Sequence, residues 1–322
     1  MTRQTKYFPL GTLIAGLVLL MISSAGLQSF QSKTPVAAIS QSGPDLSANI
    51  KLSNDPAWAS DIRDERFTYG LNVQSPWKDG GKLFLLFPEH LEYNPVGNTI
   101  LRHYDKLPLP WIFSAGGKMA SYRVESLALN NVFVESTARV LTGHDLPFGA
   151  AGLRLSMRII NNGTKTLPVI RPLICMQYKG LTGFPGALQD NFKHNFIIVD
   201  GKITSLADLP TKNANATFKG CVVKGCPQND TRSEKEGGLI EKNMDLALSI
   251  VTSEDNKRKV IIWWTPGKSM IANARIPCLH ADPYFGTLKP GEEASAQGYI
   301  VFTEGNVEPI VSFLEKMDKK VY

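Results

Sequence analysis

The chain has 322 residues, 43% of them hydrophobic and 20% charged, with a formal net charge of +6. These are the values of a globular protein with a real core, in one large all-β unit or two modest domains. The lysines and arginines are scattered and form no basic stripe interleaved with aromatics, which excludes nucleic acid as a partner.

Arg3 and Lys6 precede an apolar run from Tyr7 to Ile22, and Ser23-Ser24-Ala25 follows. That is the layout of a secretory leader cut after Ala25. The run is short for a membrane-spanning helix, which needs about 20 apolar residues. A retained anchor is the alternative, and would be the chain's one link to a membrane. With no cysteine after the run, a lipid anchor is not expected. The protein is therefore expected to be exported, to the periplasm or beyond. Residues 26–52 are rich in Ser, Ala, Gln and Pro and read as a flexible tether. The remainder, 53–322, reads as one domain.

Within that domain the pattern is strand-like nearly throughout. Lys82 to Phe87 is a short apolar run stopped by Pro88. Tyr122–Leu129 and Val132–Val140 form a pair about a two-residue turn at Asn130-Asn131. Leu153 to Ile159 alternates strictly, as a half-buried strand does. Asn161-Asn162-Gly163-Thr164 makes the turn into Leu167–Met176. Phe196–Val199 enters a hairpin at Asp200-Gly201, and Lys202 to Glu241 reads as loop. Ala247–Thr252 and Val260–Trp264 resume the strands, with Asp255-Asn256 between them. Pro290-Gly291 is a type II turn signature leading into Ala294–Phe302. One helix is expected, at 306–321, with Asn306 as cap, Pro309 in the first turn, and Ile310, Phe313, Leu314, Met317 and Val321 on one face. Many short strands with turn signals and one late helix make an all-β fold, a large antiparallel β-sandwich.

The densest group of chemically able side chains is Cys278-Leu279-His280-Ala281-Asp282-Pro283. Pro283 biases Asp282 toward an extended backbone. In an extended chain, side chains two apart share a face at steps of about 7 Å. Cys278, His280 and Asp282 would then line a rim of the sandwich, with His280 as base or ligand and Asp282 orienting it. These two are the candidate catalytic residues. The scaffold reading has Cys278 in the core, His280 bonded to a carbonyl and Asp282 accepting turn amides. His-x-Asp is also half of a facial iron triad; His90, His103, His144 and His194 lie upstream and nothing in the sequence selects one of them as the other half, so neither a metal nor a cofactor is expected.

Trp263-Trp264 on a strand would face opposite ways, one into the core and one outward. An outward Trp264 beside Tyr284 or Trp111 would suit stacking on a sugar ring. His194 and Asp190 lie in a loop that could fold over one end of the sandwich; Glu89-His90 after Pro88 and Glu135 mid-strand are the other titratable candidates for acid–base work, with His90 also a candidate binding group. Glu135, mid-strand, should point to water or a cleft, because an inward carboxylate is costly unless paired. Cys221 and Cys226 flank a short polar stretch and could close a small disulfide ring. Cys175 and Cys278 sit in apolar contexts, as buried thiols or a second bridge. Three sequons, at Asn162, Asn215 and Asn229, matter only in a glycosylating source. Thr265-Pro266-Gly267-Lys268-Ser269 ends like a phosphate loop, but Ile262 stands where its first glycine must be.

The Asn161-Asn162-Gly163-Thr164 turn with its flanking strands, Cys278-x-His280-Ala281-Asp282-Pro283, Leu288-Lys289-Pro290-Gly291-Glu292 and Gly298–Phe302 together resemble uncharacterised exported bacterial β-sandwich proteins. At fold level they also resemble the galactose-mutarotase-like sandwiches of carbohydrate-active enzymes. That resemblance implies a mutarotase-like supersandwich. Such enzymes use a His and a Glu on a concave sheet, and no position of this chain is matched to them. The leading expectation is an exported sandwich that binds carbohydrate or a similar polar ligand. The alternatives are a mutarotase-like epimerase or lyase using His, Asp and Glu as acid and base, and a non-catalytic envelope module.

Overall fold

The computed structural model describes residues 46–54, 70–93, 98–102, 111–126, 131–141, 145–147, 149–186, 189–226 and 231–318. The leader and most of the tether lie outside them. In chain order the strands are β1 (Leu52–Ser53), β2 (Leu71–Gln74), β3 (Lys82–Tyr93), β4 (Asn98–Arg102), β5 (Ile112–Phe113) and β6 (Met119–Ser126). Next come β7 (Val132–Val140), β8 (Ala151–Asn161), β9 (Ile170–Gln177), β10 (Asn195–Val199), β11 (Lys202–Ser205) and β12 (Phe218–Val222). The last are β13 (Leu248–Thr252), β14 (Arg258–Thr265), β15 (Gly267–Asn273), β16 (Cys278–His280), β17 (Asp282–Pro283) and β18 (Glu293–Glu304). A short helix α1 (Thr231–Lys235) and a longer one, α2 (Glu308–Asp318), complete the described elements.

The strands form two antiparallel sheets. The first runs β1-β2-β3-β9-β16-β15-β12, with β4 beside β3 and β17 beside β15. The second runs β11-β10-β13-β14-β18-β8-β7-β6-β5. The expected antiparallel sandwich is thus the observed fold. Between the sheets lies the main core, to which the first contributes Leu83, Leu85, Ile174, Met176, Leu279 and Ala272, and the second Val134, Leu155, Met157, Ile262, Trp264 and Ile300. The alternation of β7 and β8 decides which side chains go there, because successive residues of a strand point to opposite faces.

A second, smaller core sits on the far face of the second sheet. Leu248, Ile250, Ile261, Trp263 and Val301 pack there against Ile310, Val311 and Leu314 of α2. Asn306 accepts the Glu308 amide at 3.2 Å, the capping role read from the sequence. Because β14 is covered on one side by the first sheet and on the other by α2, Trp263 and Trp264 are both fully buried. This overturns the expectation of one outward indole.

Several local expectations shift. Pro88 does not end its strand: β3 passes through it and changes register against β9 between Leu86 and His90. Ser126 pairs with Val132, which is not the register of a two-residue turn at Asn130-Asn131; residues 127–130 lie outside the described residues. Residues 46–52, assigned to the tether, fold as a 3-10 turn and β1, with Ile50 and Leu52 buried in the main core. The interval read as loop holds β11 and the edge strand β12. The Gly267-Lys268-Ser269 segment begins β15, whose mixed polar and apolar order hides a strand buried on both faces. The Asp200-Gly201 hairpin is as expected, with both residues at positive φ.

Candidate functional site

Strands β3, β9, β16 and β15 lie side by side in the first sheet. Register puts Cys175 opposite Leu86 on one side and His280 on the other. It likewise puts Gln177 between Phe84 and Cys278. Directly opposed residues share a face. Their chain neighbours Leu85, Met176 and Leu279 point into the main core, so Cys175, Cys278 and His280 face away from it. That outer face is covered all the same. Cys278 is 4% exposed, His280 6% and Asp282 1%. The row expected along a solvent rim is buried instead.

The strand breaks register after His280. β15 pairs with β16 at Ala272 and Asn273, then with β17 at Gly267 and Ser269, with a shift between the last two. At this bulge the Ser249 hydroxyl, from the second sheet, donates to the His280 carbonyl at 2.9 Å. Asp282 is fixed on the other side. Its Oδ1 accepts the Ile174 amide at 2.9 Å and its Oδ2 accepts the Ser269 hydroxyl at 3.2 Å.

The imidazole of His280 is then flanked twice. Its Nδ1 is 3.8 Å from Asp282 Oδ1. Its Nε2 is 3.6 Å from Glu89 Oε2 and 4.0 Å from Cys278 Sγ. Glu89 follows Pro88, so the register change in β3 is what delivers this carboxylate to the cluster. Ligand atoms of Cys175, Cys278 and His280 all lie within 4.8 Å of one another. Burial pushes the Cys175 thiol well above its ordinary range, and the neighbouring Cys278 and Glu89 add to the effect.

The other candidates are dispersed. Trp264 packs on Phe87 in the main core, ring centroids 5.5 Å apart, and is no stacking platform for a ligand. Trp111 is also buried, edge-on to Tyr122. Tyr284, two residues past Asp282, is half-buried, and its amide donates to the Pro266 carbonyl. His90 is half-buried in β3, opposite Leu173 and Arg102. His194 ends a 3-10 turn leading into the second sheet, its Nδ1 3.3 Å from Thr252 Oγ1. Asp190 lies in the same turn, and its side chain is outside the described part. Glu135 faces solvent, 3.7 Å from Arg158. The Cys221–Cys226 ring is not closed. Both thiols are free, with Cys221 Sγ 3.0 Å from the Lys242 carbonyl and Cys226 Sγ 3.6 Å from that of Gly267.

A cleft of about 350 Å³ opens elsewhere, on the second sheet beside the start of α2, lined by Phe196, Ile203, Thr252, Asn256, Lys259 and Val307 among others. It touches His194 through Thr252 and does not include the His280 cluster.

Comparison with known proteins gives a structural likeness. A galactose mutarotase-like protein from Lactobacillus casei ATCC 334 is similar with a TM-score of 0.41 and 10% identity, over 74% of this chain and 95% of that one. A GalM/aldose epimerase homologue from C. elegans is similar with a TM-score of 0.35 and 11% identity, over 74% of this chain and 93% of that one. No family model and no curated protein matches the chain.

What sequence reading missed at this site is Cys175 as a partner of His280. Glu89, beside His90, is legible as a candidate for acid–base work but not as a neighbour of His280. The usable signal for both was a strand interrupted by proline beside a strand ending Ile174-Cys175-Met176-Gln177, but their meeting depends on register.

Proposed function

We propose that the outer face of the first sheet, centred on His280, binds a carbohydrate or a chemically similar polar ligand in an exported protein. One observation carries this: an imidazole flanked by two carboxylates, Glu89 at 3.6 Å and Asp282 at 3.8 Å, on a sheet face that takes no part in the sandwich core. The Glu89 carboxylate would accept from a sugar hydroxyl, while Asp282, buried and held by the Ile174 amide and the Ser269 hydroxyl, would orient the imidazole. The Glu89 side chain is 17% exposed and is the group a ligand would reach first. The leader sequence supports the location, since it would carry such a site to the periplasm or beyond. Glycan arrays and saturation-transfer NMR should find a saccharide bound at millimolar or tighter, with binding lost in Glu89→Gln. No saccharide binding at that level would end this reading.

The 3.6 Å separation of Glu89 and His280 favours a second reading, acid–base catalysis of the epimerase or lyase kind. Anomerisation followed by NMR and elimination followed by ultraviolet absorbance would test it. Full turnover in His280→Ala would rule it out.

A further inference from the structure

The same cluster contains two thiols, Cys175 and Cys278, that the saccharide reading does not use. Two thiols and an imidazole from strands β9 and β16 converge with a carboxylate from β3, and they sit where water is largely excluded. We propose that Cys175, Cys278, His280 and Glu89 together hold a thiophilic divalent metal ion, zinc by preference, on the outer face of the first sheet.

The distances are those of a tetrahedral site slightly relaxed. In a zinc centre with bonds of about 2.3 Å to sulfur and about 2.0 Å to nitrogen or oxygen, two sulfurs lie about 3.8 Å apart, sulfur and nitrogen about 3.6 Å, and nitrogen and oxygen about 3.3 Å. Here Cys278 Sγ to His280 Nε2 is 4.0 Å and His280 Nε2 to Glu89 Oε2 is 3.6 Å. The widest separation within the Cys175, Cys278 and His280 set is 4.8 Å at most. Movements of about 1 Å bring the Cys175, Cys278 and His280 atoms to the spacing of a shared ion, and Glu89 approaches that set from the Nε2 side of His280. Two thiolates select zinc over magnesium or calcium, which take oxygen ligands.

Asp282 strengthens the assignment. Metal-binding imidazoles characteristically present their second nitrogen to a carboxylate, which fixes the tautomer and aims the ring. Asp282 Oδ1 stands on the Nδ1 side of His280, opposite the thiol and Glu89 side. It is itself held by the Ile174 amide and the Ser269 hydroxyl. A carboxylate so anchored is a positioning group, outside the ligand shell.

The metal would take Glu89 and His280, which the saccharide reading also uses, so the probe is the metal alone and its outcome is scored separately from sugar binding. The reduced, chelator-stripped full chain is titrated with zinc against a chromophoric competitor, and with cobalt(II) as the spectroscopic stand-in. The expected result is one ion per chain, with tetrahedral cobalt absorption and a thiolate charge-transfer band of two-sulfur intensity. That band should persist in the Cys221→Ala, Cys226→Ser double variant, which leaves only Cys175 and Cys278 to supply sulfur. It should vanish in Cys175→Ser and Cys278→Ser, and Asp282→Asn should weaken zinc affinity about 10- to 100-fold. Three results would each overturn the proposal: no stoichiometric metal, a band lost in the Cys221/Cys226 variant, or a Cys175–Cys278 disulfide in the native chain by peptide mapping. Should the Cys175 and Cys278 variants fail to fold, the Cys221/Cys226 variant still decides. If metal binds and no saccharide does, only the ligand reading falls.

Discussion

Asp282 Oδ1 accepts the backbone N–H of Ile174 at 2.9 Å, where the pairing of β16 with β9 has already ended at His280. A side chain here does the work of a ladder partner. It satisfies a buried donor that neither β16 nor β17 reaches.

Replacing that carboxylate should therefore cost stability whatever the site binds. Asp282→Ala leaves the Ile174 amide and the Ser269 hydroxyl buried without this acceptor, a loss of about 2–3 kcal/mol. Asp282→Asn keeps an acceptor oxygen and should lose about 1 kcal/mol. Urea midpoints with an unchanged slope would measure both. Equal losses in the two variants would show that charge, not the hydrogen bond, is what matters.

Gly298 faces Trp264 across the β14–β18 pair. A Cβ at that position would lie 2.7 Å from Trp264 ring atoms and 2.7 Å from the Trp263 carbonyl. Neither tryptophan has exposed surface into which it could yield. Gly298→Ala should lower stability by about 1–3 kcal/mol through overpacking, seen as a fall in thermal midpoint.

Trp264 is a core residue and its removal should behave as one. Trp264→Ala is expected to cost about 3–5 kcal/mol. In the native protein the Trp263 and Trp264 emission should be blue-shifted and resistant to iodide. Saccharide addition that quenched Trp264 directly would contradict its placement against Phe87.

Alkaline pH should weaken the fold. Burial pushes the Cys221 thiol up to about 12, and raises the Tyr122 and Tyr178 hydroxyls well above their ordinary value. The unfolded chain releases these protons between about pH 8.5 and 10. Above that range it binds fewer protons than the native state, so stability falls as pH rises. Below about pH 8.5 the contribution of these groups is fully present. Urea midpoints at pH 7.5, 9 and 10.5 should decline in that order, and Cys221→Ala should flatten part of the decline.

The sequence by itself determined the fold class and most of the strands, because alternation along Leu153–Ile159 and turn chemistry at Asp200-Gly201 and Pro290-Gly291 are local properties of the chain. The capped C-terminal helix was legible for the same reason. Only the tertiary structure decided which faces are covered and which distant side chains meet. One of Trp263 and Trp264 was expected outward, with Trp264 the candidate, because nothing local announces that the first sheet covers one face of β14 and α2 the other. Cys278, His280 and Asp282 looked exposed because alternation tells one face of a strand from the other but not what each face meets. The approach of Cys175 and Glu89 to His280 depends on pairing register between strands far apart in the chain, and on a one-sided shift of β3 at Pro88. Register is a relation between strands, so no single stretch of sequence contains it.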